Sequence, residues 1–205
     1  MKTYILLFLT ITTFLNCKAQ TRFPQRTVNL SDSFESSFNR QNGDYLRDNE
    51  NKLNAFEGVW VYDDGNGNKL TLNLRKKEQV LNETRNNNYR FSDLIILTYK
   101  LEKNYITIFD NLNENLPNEI LPTDEGNFGY FSFSQSNYNK LSGSYHDVTY
   151  NIVSSCMIKK LETLAGQPEK ISLKLYGALR RNDPSFYQGL TEAFSVPNNI
   201  ELTKL

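Results

Sequence analysis

The chain has 205 residues and 23.8 kDa, enough for one domain with a hydrophobic core of its own. Its 23 basic and 23 acidic residues cancel, so the basic excess that nucleic-acid binding requires is missing. With 39% hydrophobic residues and a mean hydropathy of −0.56, the polar remainder is Asn, Ser and Thr more than charge. A charged, disordered tail protein is excluded on the same grounds.

The first twenty residues read as an export signal. Lys2 supplies a short positive region, and Tyr4–Leu15 is an apolar run of about 12 residues, the length of a signal-peptide core. Spanning a bilayer takes roughly 20 apolar residues, so the run is too short for a membrane helix. The stretch Phe14-Leu15-Asn16-Cys17 resembles a bacterial lipobox, with Phe14 where Leu is usual and Asn16 where a small residue is usual. On that resemblance residues 1–16 are a lipoprotein signal, Cys17 is the lipid attachment site, and 17–42 is a tether. Residues 43–205 then form one β domain. The competing reading cuts after Ala19, at Cys17-Lys18-Ala19, and releases a soluble protein starting at Gln20. Lys18-Ala19-Gln20-Thr21 lacks an acidic cluster, so an outer-membrane lipoprotein facing the periplasm is expected. Cys17 being lipidated or removed leaves Cys156 unpaired. Its apolar setting, Ile152–Ile158, predicts a buried, inert thiol.

From Asp44 the apolar positions Tyr45, Leu46, Leu53 and Phe56 recur at spacings compatible with a helix, with Asp44 as N-cap and Gly58 as stop. Beyond Gly58 the pattern is β almost throughout. Val59–Tyr62 and Leu70–Leu74 flank Asp63–Asn68, a strong hairpin signal. Leu94–Tyr99 is apolar on both parities, as a strand covered on both faces would be, and Tyr105–Phe109 is its expected partner. Asn111–Gly126 reads as a long loop. Phe128–Ser134, Lys140–Tyr145, Val148–Lys159, Lys170–Tyr176 and Ile200–Leu205 complete the strands, with Arg181–Pro197 as a second long loop. The expectation is an all-β, mainly antiparallel fold: a barrel or strongly curved sheet of about nine strands with one N-terminal helix.

A helix followed by Phe56-Glu57-Gly58-Val59-Trp60 and an aromatic-rich meander resembles the start of lipocalin-like proteins, where G-x-W sits on the first strand. In that family a late-strand Arg packs on the Trp; here Arg180 and Arg181 are the candidates. More of the chain is similar to uncharacterised flavobacterial-type lipoproteins, through Cys17–Gln20, Phe56–Trp60 and the closing Val196–Leu205. That resemblance implies an envelope location and supplies no activity.

Candidate chemistry is sparse. Asp64–Asn68 has the D-x-N-x-N look of a Ca²⁺ loop, but Lys69 and Arg75 stand where an EF-hand needs Gly and Glu. A turn explains the same residues. His146 is the only histidine, and its neighbour Asp147 would point to the opposite face of a strand. The acids Asp63-Asp64, Asp110 with Glu114, and Asp124-Glu125 fall in turns or loops. No catalytic or metal-binding residues are assigned and no cofactor is expected. The aromatic load, 13% of the chain, is the unusual quantity. Core packing explains most of it, and Trp60, Tyr62, Tyr99, Phe131, Phe133 and Tyr145 are the residues expected to line a ligand cavity if there is one.

Three functions follow from these readings. The first is an envelope-anchored binding module for a small apolar or amphipathic ligand, held to the membrane by its N-terminal lipid. The second is a structural lipoprotein that presents its two long loops to an envelope protein partner and has no ligand cavity. The third is a carboxylate-dependent hydrolase.

Overall fold

The computed structural model describes residues 22–83, 88–120, 128–134, 137–149, 152–180 and 194–205. The segment expected as a signal and Cys17 lie outside them, as do parts of both expected long loops and Asp124-Glu125. The described strands are β1 (Arg26–Asn29), β2 (Asp44–Arg47), β3 (Gly58–Asp63), β4 (Lys69–Glu83), β5 (Tyr89–Lys103), β6 (Ile106–Asp110), β7 (Glu119–Ile120), β8 (Gly129–Ser134), β9 (Asn137–Asp147), β10 (Ile152–Leu161), β11 (Lys170–Arg180) and β12 (Ile200–Lys204).

Eight of these strands form a closed antiparallel barrel in the order β3-β4-β5-β8-β9-β10-β11-β12, each paired with the next in sequence among them. The last strand returns to the first through Thr203 opposite Val61 and Lys204 opposite Trp60. Such closure removes the open edges that an aggregation-prone sheet would present. The expected architecture is thus a barrel, with more strands than the sequence suggests: β1, β2 and β7 are additions on its outside.

Alternation fills the interior. Leu70, Leu72 and Leu74 on β4, Ile95, Leu97 and Tyr99 on β5, and Ile171, Leu173 and Leu175 on β11 all point into one core that also holds Trp60, Phe131, Leu141, Cys156 and Leu202. The opposite parity of β5 is covered as well. Leu94 and Ile96 pack with Val80, and Leu116, Ile120 and Phe128 close over them. Residues 111–120 therefore lie across the outer face of β5 and give the barrel a second, smaller core.

One edge of β5 serves three partners in succession: β2 at Phe91-Ser92, β8 at Ile95–Leu97 and β6 at Lys100–Lys103. Between β8 and β6, Asn111 stands in for a strand. Its side-chain oxygen accepts the Tyr99 N–H at 2.7 Å, and its own N–H donates to the Tyr99 carbonyl at 3.1 Å.

The expected helix over 45–56 is corrected by the structure. Asp44–Arg47 is strand β2, parallel to both β1 and β5, and only Lys52–Phe56 is helical, as one 3₁₀ turn. Asn51 enters that turn at φ 54°, a left-handed conformation that interrupts any continuous α-helix. Asp48 caps the turn in place of Asp44, accepting the N–H groups of Lys52 at 3.0 Å and Leu53 at 2.9 Å. Leu53 and Phe56 then plug the lower end of the barrel, with Phe56 edge-on to Phe133. The upper end carries the β3–β4 hairpin turn.

A buried polar network ties the plug to the wall. Asp93 on β5 accepts the Tyr45 hydroxyl at 2.7 Å, the Asp48 N–H at 2.9 Å and the Gln79 N–H at 3.0 Å. Gln79 sits at φ 54° where the β4–β5 register shifts. Lys76 completes the network with its ammonium 3.2 Å from Asp48.

Part of the segment expected as a tether lies on the barrel. Leu30 joins the core, with Val28, Phe34 and Phe38 packed against it, and Arg26 pairs both its Nε and its Nη2 with Asp44 at 2.8 Å. The guanidinium holds the Asp44 carboxyl below its ordinary value; burial opposes this, and the Gln41 N–H adds to it. A carboxyl with a lowered native pKa contributes its full stability above the unfolded value near 4 and loses it as pH falls through the native value. The stability gap between wild type and Arg26→Gln should accordingly be constant above about pH 5 and close in acid, as read by urea denaturation across a pH series.

Candidate functional site

The upper mouth of the barrel is closed by backbone that belongs to no strand. Residues 194–197 cross it, and Val196 is buried in the same core as the barrel interior. Two polar clasps hold the crossing in place. Asp147, at the end of β9, accepts the Ser195 N–H and the Ser195 hydroxyl, the latter at 2.6 Å. Asn198 accepts the Leu175 N–H at 2.8 Å and donates to the Leu175 carbonyl at 3.3 Å, continuing the sheet where β12 has not yet begun. The strap thus bridges β9 and β11 across the opening.

Beneath it the interior is aromatic with hydroxyl tips. The Tyr99 and Tyr145 rings lie 5.4 Å apart, and Phe109 packs 4.7 Å from Tyr99. Tyr145 is buried beside Tyr99, Asp147 and Cys156, and burial pushes its phenol well above the ordinary value. Burial also pushes Tyr99 up to about 12 and raises the Cys156 thiol. All three stay protonated at neutral pH, so this region offers hydroxyl and apolar contacts, the elements of recognition. Beside the strap, Tyr62, Leu101, Lys103 and Phe194 border a cavity of about 330 Å³ that opens outward.

The six residues expected to line a cavity separate accordingly. Trp60, Tyr99, Phe131, Phe133 and Tyr145 are buried in the barrel core, Tyr99 and Tyr145 under the strap and Phe133 next to the lower plug. Tyr62 faces the outer cavity at the mouth. Trp60 has its indole N–H bound to the Phe56 carbonyl at 2.9 Å, which joins the first strand to the plug. The cation over its ring is Lys204 on the last strand, 5.2 Å from the centroid. Gly58, at φ +133°, is where the Lys204 stem passes: a Cβ there would lie 2.7 Å from Lys204 Cε. The side chains of Arg180 and Arg181 lie outside the described residues.

The loop acids are occupied locally. Asp64 accepts the Asn66 and Asn68 N–H groups and the Asn68 amide, which draws its pKa down, so its loop closes on itself. Asp63 accepts the Gly65 N–H and Asp110 the Leu112 N–H. Among the described residues no three His, Cys, Asp or Glu side chains converge as a metal site would require, and no helix is long and apolar enough to cross a membrane. The strap escapes sequence reasoning. Val196-Pro197 reads as loop, and only the apolar Phe194 and Val196 within a polar stretch signal that it packs inward.

No curated protein and no solved structure matches the chain. A sequence profile does match it, over residues 1–205, and by that match the chain belongs to a family of unknown function, DUF6705.

Proposed function

We propose that this protein is an envelope-anchored, lipocalin-like binding module. Cys17 carries the lipid, the residues ahead of β1 hold the barrel off an outer membrane facing the periplasm, and the upper barrel end takes a small apolar or amphipathic ligand. One observation carries the reading. Among the described residues the mouth near Tyr99 and Tyr145 is covered by Val196, with Phe194 packed beside it, on a strap held by side-chain hydrogen bonds and not by a strand ladder. Burying a Val contributes about 1.5–3 kcal/mol, an amount that a ligand filling the same space would replace. The ligand displaces Val196 and stacks on the tyrosines, whose hydroxyls meet its polar end.

Trp60, the only tryptophan, reports on the interior. Titrating leaderless protein with a fluorescent long-chain fatty acid should give saturable, one-to-one energy transfer from Trp60. Val196→Ala should bind about 5- to 10-fold more tightly, because about 1 kcal/mol less burial has to be undone. Absence of saturable transfer in both proteins would refute the reading.

A second reading, a protein-interaction lipoprotein, is favoured by β6. Ile106 and Ile108 there are 64% and 44% exposed, with Tyr105 just before the strand 81% exposed, and among the described residues β6 pairs along one side only. It differs in outcome: Ile106→Lys with Ile108→Lys would abolish partner capture and leave ligand binding unchanged.

A further inference from the structure

On the flank of the barrel, outside the mouth and independent of it, β2 with the residues before it and the start of β5 border a cavity of about 280 Å³, whose lining includes Arg40, Asn42, Leu46, Tyr89 and Arg90 and also the acid Asp44. Four arginines converge on this flank, and two of them are neutralised. Arg26 takes Asp44 with two nitrogens at 2.8 Å, and Arg22 takes Glu83 at 2.7 Å. The remaining two, Arg40 and Arg90, face the cavity and make no ion pair among the described residues. The Arg90 Nε is buried with no hydrogen-bond partner.

That arrangement is costly as it stands. A buried donor left unsatisfied costs about 1–3 kcal/mol, and more when it belongs to a charged group. Arg90 is depressed below its ordinary basicity by burial and then by the like charge of Arg40. Asp44 cannot relieve it, since its oxygens already accept Arg26 and the Gln41 N–H. The walls are held open in this form. Tyr89 N–H binds Asn42 Oδ1 at 2.7 Å, and Gly43 N–H binds the Tyr89 carbonyl at 2.8 Å. Gly43 turns at φ +83°, where a Cβ would collide with the Gln25 side chain, so a larger residue is not accommodated at this point of the wall. What such a cavity lacks is an anion with planar or tetrahedral oxygens, the partner that guanidinium forks match best.

We propose that the cavity between Arg40 and Arg90 is an anion-binding site for a ligand bearing a carboxylate or phosphate group. Leu46 and the Tyr89 ring would contact the body of that ligand, and its size is limited to a small molecule or a single headgroup. The same oxyanion could arrive free in solution or on a lipid, and the test separates these sources.

The mature full-length protein, reconstituted in phosphatidylcholine vesicles, is melted while Trp60 fluorescence is followed. Inorganic phosphate or acetate then replaces chloride at constant ionic strength, or phosphatidylglycerol is added to the vesicles. A ligand that binds only the native state at ten times its dissociation constant should raise Tm by about 3–6 °C, saturably. Phosphate stabilises proteins generally by exclusion from their surfaces, so the decisive comparison is with Arg40→Gln. Arg40 is exposed, and its removal relieves a like-charge contact. The variant should start at an equal or slightly higher Tm and lose the saturable rise. A rise with phosphate or acetate that depends on Arg40 identifies a soluble ligand; one seen only with phosphatidylglycerol identifies a lipid headgroup. Equal behaviour of wild type and Arg40→Gln in every arm would overturn the proposal.

Discussion

Replacing Cys17 with alanine should abolish the partitioning into detergent that acyl chains confer, and release the protein to the aqueous phase wherever its leader is cut off. On the proposed reading an acylated Cys17 at the N-terminus would carry more than one acyl chain, and with roughly 0.8 kcal/mol for each buried CH₂ it would lie beyond the threshold for stable anchoring. Such binding is apolar, so it should survive high salt, unlike an electrostatic attachment. The described domain begins at residue 22, so the substitution leaves the barrel's contacts intact. The variant faces two fates. It stays uncleaved, or it is cut after Ala19, because the new alanine completes an A-x-A site with Lys18 and Ala19 for the ordinary signal peptidase. Phase partitioning with intact mass measurement distinguishes these results. A wild-type species starting at unmodified Gln20 would refute the anchor and leave the barrel as a soluble secreted protein.

Asp93→Ala should be the most damaging single change inside the barrel. The carboxylate is 1% exposed and is the acceptor for the Tyr45 hydroxyl and for the N–H groups of Asp48 and Gln79. Its removal deprives two buried donors, the Tyr45 hydroxyl and the Asp48 N–H, and one part-buried donor, the Gln79 N–H, of their acceptor. Breaking a buried network of this kind costs about 3–5 kcal/mol, or on the order of 10 °C in Tm for a chain of this size. Asp93→Asn should fall between, since one oxygen remains while the new NH₂ faces groups that also donate. Thermal melts of both variants followed by Trp60 fluorescence provide the check. A loss under about 1 kcal/mol for Asp93→Ala would show that the plug stands without the network. Because Tyr45 and Asp48 hold β2 and the 3₁₀ turn, the alanine variant should also lose hydrogen-exchange protection at Leu53 before the rest of the barrel.

The barrel strands are legible because their side chains obey one period. Leu70, Leu72 and Leu74 alternate cleanly, and the double-sided apolar run Leu94–Tyr99 announces a strand covered on both faces, which β5 is. The hairpin over Asp63–Asn68 is equally clear, and its register is Asp63 opposite Lys69. The 45–56 segment misleads because Tyr45, Leu46, Leu53 and Phe56 satisfy a helical spacing while serving different elements. Tyr45 and Leu46 lie in a strand between β1 and β5, and Leu53 and Phe56 in a plug beneath the barrel. Local spacing carries no information about the tertiary partner that separates them. The flank cavity is illegible for a related reason. Arg40 and Arg90 stand far apart in the chain and meet only through the parallel β2–β5 pairing, which no local signal encodes. Lys204 over Trp60 is hidden likewise, since barrel closure alone sets a last-strand residue against the first strand.

That closing seam also governs how the chain must assemble. Lys204 and Trp60 are about 140 positions apart, so the final ladder forms only after nearly the whole chain is available. Until Ile200–Lys204 docks, β3 and β11 each present a row of unpaired amide and carbonyl groups. Two such edges on one intermediate can recruit the same strands from a neighbouring copy, giving swapped or polymeric species in place of a ring. The folding chain should therefore need dilution or a holding chaperone until its last five-residue strand docks, and trimming that strand should convert a closed barrel into an aggregating sheet.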